Sequence, residues 1–92
     1  MRFEWDEEKN QANIRKHGFN FTDAWEIFEA PMLISLDLRE DYGEERWIAI
    51  GCIQETELVI VYVKKDEERR RIISARRANS KERQVYWRQV QD

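Results

Sequence analysis

Cysteine and histidine occur once each, as Cys52 and His17, and their scarcity narrows the chemistry. A structural zinc centre takes four nitrogen or sulfur ligands, more than this pair offers, and a lone cysteine closes no intrachain disulfide. No metal or cofactor is expected, and a reducing, cytoplasmic setting fits best. Glycine is limited to three residues and proline to Pro31, unlike a disordered or low-complexity chain. A glycine-rich phosphate loop and a G-x-S-x-G nucleophile turn are both missing. The longest apolar run, LVIVYV at 58–63, is far short of the ~20 residues of a membrane span. The opening MRFEWDEEKN has no apolar core of a signal peptide. No membrane partner is expected.

What is present is aromatic and charged. The 92 residues include four Trp, four Phe and three Tyr, enough apolar material for one small domain over 1–92. The net charge is −3, but residues 1–63 carry −8 and residues 64–92 carry +5. A chain polarised in this way can present a positive face to an anion despite its low pI.

The hydrophobic spacing predicts the order β-α-α-β-β-β-β-α. A short strand at 3–5 precedes a helix capped by Asp6, carrying Asn10, Ile14 and His17 on one face and ending at Gly18. Phe21, Ala24, Trp25 and Phe28 stripe a second helix that ends at Ala30-Pro31. Strands follow at 33–38, 46–52, 58–63 and about 70–76, with a polar turn at 54–57. A last helix starts at Asn79, with Glu82 completing a capping box and Arg83, Tyr86, Trp87 and Val90 on one face. Consecutive strands with short turns imply an α+β fold: an antiparallel meander packed by two N-terminal helices and one C-terminal helix.

The strongest chemical signal is RRRIISARRANSKER at 69–83. Strand alternation puts Arg70, Ile72, Ser74 and Arg76 on one face and Arg71, Ile73, Ala75 and Arg77 on the other. Arginine keeps its charge at any working pH, and its planar fork fits phosphate oxygens. Lys81, Arg83 and Arg88 on the following helix extend the basic surface. A rim of solvated charge around a strand is the plain alternative. His17 titrates nearest neutrality and is the natural general acid or base, although a histidine closing a helix also serves as a C-terminal cap. Lys16 and Arg46 are its electrostatic partners. Asp37, Glu40, Asp41, Glu44 and Glu45 lack calcium-loop spacing and read as an acidic, exposed hairpin loop. Most of Trp5, Trp25, Trp47 and Trp87 belong to the core.

Taken together, FEWDEEKNQANIRKHGFNFTDAWEIF, GEERWIAIG and RIISARRANSKER, followed by Tyr86, resemble the BrnT family of bacterial toxins. The resemblance covers roughly residues 3–86. It rests on W-D, N-x-x-K-H-G, F-x-x-A-x-x-x-F, G-E-x-R-x-x-x-x-G and I-S-A-R-R-A-x-x-x-E-R in that order. Departures are small: Phe19, Asn20 and Trp87 stand where the family more often has Val or Leu, Ser, and an acidic residue. The resemblance implies a RelE-like fold and a ribonuclease that cuts cellular RNA, arresting translation and growth. It implies no cofactor and a hetero-oligomer with a cognate DNA-binding, BrnA-like antitoxin, which connects the complex to operator DNA. Lys16, His17, Arg46 and Arg76 are the catalytic candidates it points to, with Arg77, Lys81 and Arg83 for RNA binding. A non-catalytic module that binds nucleic acid or a protein partner through the arginines is the alternative.

Overall fold

In the computed structural model, which describes residues 1–90, β1 (Arg2–Glu4) turns at once into α1 (Glu7–His17). The last two residues of the expected domain lie outside the described residues. The local signals for α1 hold. The Asp6 side chain accepts from the backbone N–H of Glu8 at 2.9 Å and of Lys9 at 3.2 Å. Gly18 closes the helix at φ 81°, and its N–H bonds Ile14 O at 2.8 Å, a left-handed cap that glycine adopts without a Cβ penalty. Glu7 and Glu8 in the first turn and Arg15, Lys16 and His17 in the last complement the helix dipole.

The inward face of α1 differs from the expectation, because its buried residues are Asn10 and Asn13. Asn10 accepts from Phe21 N at 2.9 Å and donates to Asn20 Oδ1 at 3.1 Å, fixing the bend into the next helix. The helix expected up to Pro31 is a single turn, α2 (Phe21–Ala24), continued as a 3-10 helix at Trp25–Glu29. Phe21, Ala24 and Ile27 are the fully buried residues here, and their spacing of three matches the tighter winding.

The strands β2 (Leu33–Leu36), β3 (Trp47–Ile53), β4 (Thr56–Lys64) and β5 (Arg69–Arg77) form the expected antiparallel meander. The full sheet is mixed, however. Its order is β1-β5-β4-β3-β2, and β1 pairs in parallel with β5, Arg2 opposite Arg69 and Glu4 opposite Arg71. The first and last strands are neighbours because α1 and α2 carry the chain from one sheet edge to the other. The β3–β4 turn is narrower than expected: Gln54 and Glu55 alone bridge the strands, both at positive φ (47° and 69°).

Two cores flank the sheet. The larger, built on Phe21, Ile27, Ala49, Ile60 and Ile72, lies under α1, α2 and the 3-10 helix, with Trp5, Trp25 and Trp47 packed against it. The smaller lies under α3 (Ser80–Val90), where Tyr86 joins Ile50, Val59 and Ala78. Tyr86 fixes the helix further by donating to Pro31 O at 3.0 Å. Among the described residues no helix is long and apolar enough to cross a membrane.

Candidate functional site

The site is set by an irregularity in β5. The β4–β5 register slips between Val61 and Tyr62, so that Ser74 faces Val61 while Ile72 faces Tyr62. A slip of this kind inverts side-chain parity beyond it. Ile72 and Ala75 consequently both enter the larger core, which corrects the simple alternation expected along 70–77. Directly paired residues share a face. Arg71, Ser74 and Arg76, opposite Val63, Val61 and Val59, therefore line the α3 side of the sheet, and Arg77, opposite Leu58, lies on the other.

α3 packs on β2 and β3, and its Tyr86 reaches Val59 of β4. Beyond it the same face carries Ser35, Ile48, Val61 and Ser74, which follow one another across four strands, with Val61 buried and Ser35 exposed. At one end stands Arg76. Its Nη1 and Nη2 donate to the two oxygens of Glu82 at 2.8 Å each, a bidentate pair that raises the arginine's pKa and lowers the carboxylate's. Glu82 in turn completes the expected capping box, accepting from Asn79 N at 2.8 Å while Asn79 Oδ1 accepts from Glu82 N at 2.9 Å.

His17 meets this face at the outer edge of β5. β1 covers that edge only at Arg69–Arg71. Farther along, α1 takes over: Asn13 donates to Ala75 O at 2.9 Å and accepts from Ala75 N at 3.1 Å, as a neighbouring strand would. One turn on, His17 and Lys16 share a shallow hollow of about 220 Å³ with Ile73 and Ser74. The pKa of His17 is lowered from its ordinary 6.5, first by burial, then by the charges of Lys16 and Arg76. A neutral imidazole is therefore available at neutral pH as a proton acceptor.

At the opposite end lies the loop between β2 and β3. Asp37 N donates to Arg46 O at 2.7 Å, which extends the antiparallel ladder and sets Asp37 and Arg46 on the same face as Ser35 and Ile48. Arg46 lies over the Tyr42 ring, 4.1 Å from its centroid, with Glu44 at 3.8 Å. Asp37 is not part of an exposed acidic loop. It is buried and holds Arg39 through Nε at 2.8 Å and Nη2 at 2.7 Å. The charge of Arg39 acts to lower the pKa of both Arg76 and Glu82, as a minor cause in each.

His17 and Lys16 thus share the hollow with Ser74, Arg76 follows Ser74 on the same side of β5, and Arg46 lies at the far end of the same face. Arg77 and Lys81 are exposed, and Arg83 donates to Ala78 O at 2.9 Å near the start of α3. The residues missed by sequence reasoning are Asp37, Arg39 and Asn13. The available signal for Asp37 was its phase with Ser35 in LISLDL. Among the described residues no three His, Cys, Asp or Glu side chains come together as a metal site would require.

A family model described as the ribonuclease toxin BrnT of type II toxin–antitoxin systems matches residues 5–82. The 1.1 Å crystal structure of the ribonuclease toxin BrnT from Brucella abortus is similar, with a TM-score of 0.67 at 29% identity. The match covers 87% of this chain and 99% of that one. No curated protein matches.

Proposed function

The chain belongs to the BrnT family of ribonuclease toxins of type II toxin–antitoxin systems, and on that premise we propose that its open sheet face is a metal-independent RNA endonuclease site. RNA carries its own nucleophile, the 2′-hydroxyl. The protein needs only to take that proton, neutralise charge growing on the phosphate and help the 5′-oxygen leave. His17 is the base, its lowered pKa keeping it unprotonated at neutral pH. Arg76 and Arg46 stabilise the phosphorane oxygens, and Lys16 adds positive charge beside His17. Arg77, Lys81 and Arg83 hold RNA backbone around the corner between β5 and α3.

The observation that supports this reading is the hollow that His17 and Lys16 line with Ser74. Ser74 lies two residues from Arg76 on the same side of β5, and the charge of Arg76 acts on the His17 ring. The family premise supplies the rest. We take the single domain to be a RelE-like toxin that acts in the cytoplasm and inhibits translation. A BrnA-like antitoxin with a DNA-binding region holds it in a hetero-oligomer that represses its own operator.

The test uses the purified chain, freed of partner, with end-labelled RNA in excess EDTA, beside Arg76→Ala and His17→Ala variants shown to be folded by circular dichroism. Discrete fragments with cyclic-phosphate ends, lost in both variants, are the expected result. RNA left intact by the wild-type chain under all conditions overturns the proposal. A salt-sensitive complex without cleavage would instead identify a binding module.

A further inference from the structure

We infer that Arg39 is a further phosphate contact of this face, and that the buried carboxylate of Asp37 is the positioning residue that aims it at single-stranded RNA. The inference rests on the proposed reading that the open face takes RNA, and it adds two residues to which that reading assigns no role.

The two side chains are opposites in exposure. That of Asp37 is 0% exposed and that of Arg39 63%. A carboxylate withdrawn from water is costly, and a buried ion pair is seldom a net gain over apolar packing. Stability is thus a poor explanation for Asp37. What it does provide is geometry. Besides Nε and Nη2, its Oδ1 accepts from Arg39 N at 3.1 Å, so backbone and guanidinium are fixed together. Tyr42 helps to lower the pKa of the same carboxylate, and Arg46 lies over the Tyr42 ring. Asp37 therefore fixes the start of the loop.

Asp37 engages Nε and Nη2 of Arg39, and the side chain remains 63% exposed. Its anchor Asp37 continues β2 beyond Ser35, where the Asp37 N–H bonds Arg46 O on the face that carries Ser35 and Ile48. Arg76 is shared with Glu82 through both Nη groups, so a phosphate that it contacts beside Ser74 gains from a second cation, and the exposed guanidinium of Arg39 offers one. A guanidinium already held in place loses little freedom when a ligand arrives.

Binding is measured by fluorescence anisotropy with a 2′-O-methyl oligoribonucleotide, which cannot be cleaved through its 2′-oxygen, over a series of salt concentrations. Arg39→Gln is expected to weaken binding about 3–10-fold and to flatten the log Kd against log salt slope by about 0.7, the share of one single-strand phosphate. Arg2→Gln, on the far edge strand β1, serves as the control and keeps the wild-type slope. A folded Asp37→Asn should lose the same increment, and the double variant should lose no more. A purely structural role for Asp37 would change only the melting temperature. Wild-type binding with an unchanged slope in Arg39→Gln overturns the inference alone, and that arm holds even if Asp37→Asn fails to fold. A wild-type chain that binds no RNA overturns the proposed function together with the inference.

Discussion

Glu82 serves Arg76 and the start of α3 with the same two oxygens: each is 2.8 Å from an Arg76 nitrogen, and one also accepts from Asn79 N at 2.8 Å. The helix cap and the candidate catalytic arginine are therefore one structure, and a change at Glu82 acts on both. Loss of a cap costs about 1 kcal/mol, and the partly exposed ion pair adds little beyond that.

Glu82→Ala should accordingly lower stability by about 1–2 kcal/mol, a fall in Tm of several degrees for a domain this size. Glu82→Gln keeps an acceptor for Asn79 N and should fall less. Thermal unfolding followed by circular dichroism separates the two. Equal losses would show that the charge, and not the cap, dominates at this position.

Asn13 leads to a sharper prediction. Its amide satisfies both backbone groups of Ala75 at an edge that β1 does not reach. Asn13→Ala leaves a buried donor and a buried acceptor unpaired, at a cost of about 2–4 kcal/mol. Amide hydrogen exchange at Ala75 should lose protection by more than global destabilisation explains. Protection that falls only in step with the global value would mean that water or a shifted helix replaces the amide.

Gly51 is required by close approach. A Cβ built there would lie 2.9 Å from Ile27 Cβ and 3.4 Å from its Cγ2. Both contacts are with the rigid, branched base of a fully buried side chain, so the 3-10 helix itself must yield. Gly51→Ala should destabilise by about 1–3 kcal/mol, seen as a lower urea midpoint at unchanged m. An unchanged midpoint would mean that the 3-10 segment shifts at no cost.

The features legible in the sequence are those encoded locally. Asp6, Gly18 and the Asn79–Glu82 box each act within four residues, and the helix ends they mark are where the chain places them. The four meander strands followed from apolar runs separated by turns. The parallel partner of β1 was not legible, because it depends on which strand finishes at the free edge. Nor was the slip at Val61/Tyr62, which moved Ile72 and Ala75 onto one face and brought Arg71 to the side of Ser74 and Arg76. At the candidate site, His17, Lys16 and Arg76 were proposed from residue type and from the motifs they lie in. Asp37 escaped because burial of a carboxylate is decided by what packs over it, and the acidic neighbours Glu40 and Asp41 disguised it. Arg39 escaped with it, since its placement depends on Asp37.

The single histidine makes the base directly observable. His17 should give one imidazole resonance, titrating below its ordinary 6.5 because burial, Lys16 and Arg76 all disfavour the charged ring. The unfolded chain then holds that proton more tightly, so the group costs stability as pH falls below 6.5 and costs nothing above it. In catalysis the neutral ring is the active form, and the acid limb of kcat/KM should lie at the same sub-6.5 value, since that limb reports the free enzyme. Arg76→Gln removes one of the positive charges acting on the ring, and Lys16→Gln the other. Each should move the NMR midpoint upward, Lys16→Gln by more, as the larger of the two electrostatic causes. A midpoint that stays put in Arg76→Gln would separate His17 from Arg76 and remove the pairing on which the proposed site rests.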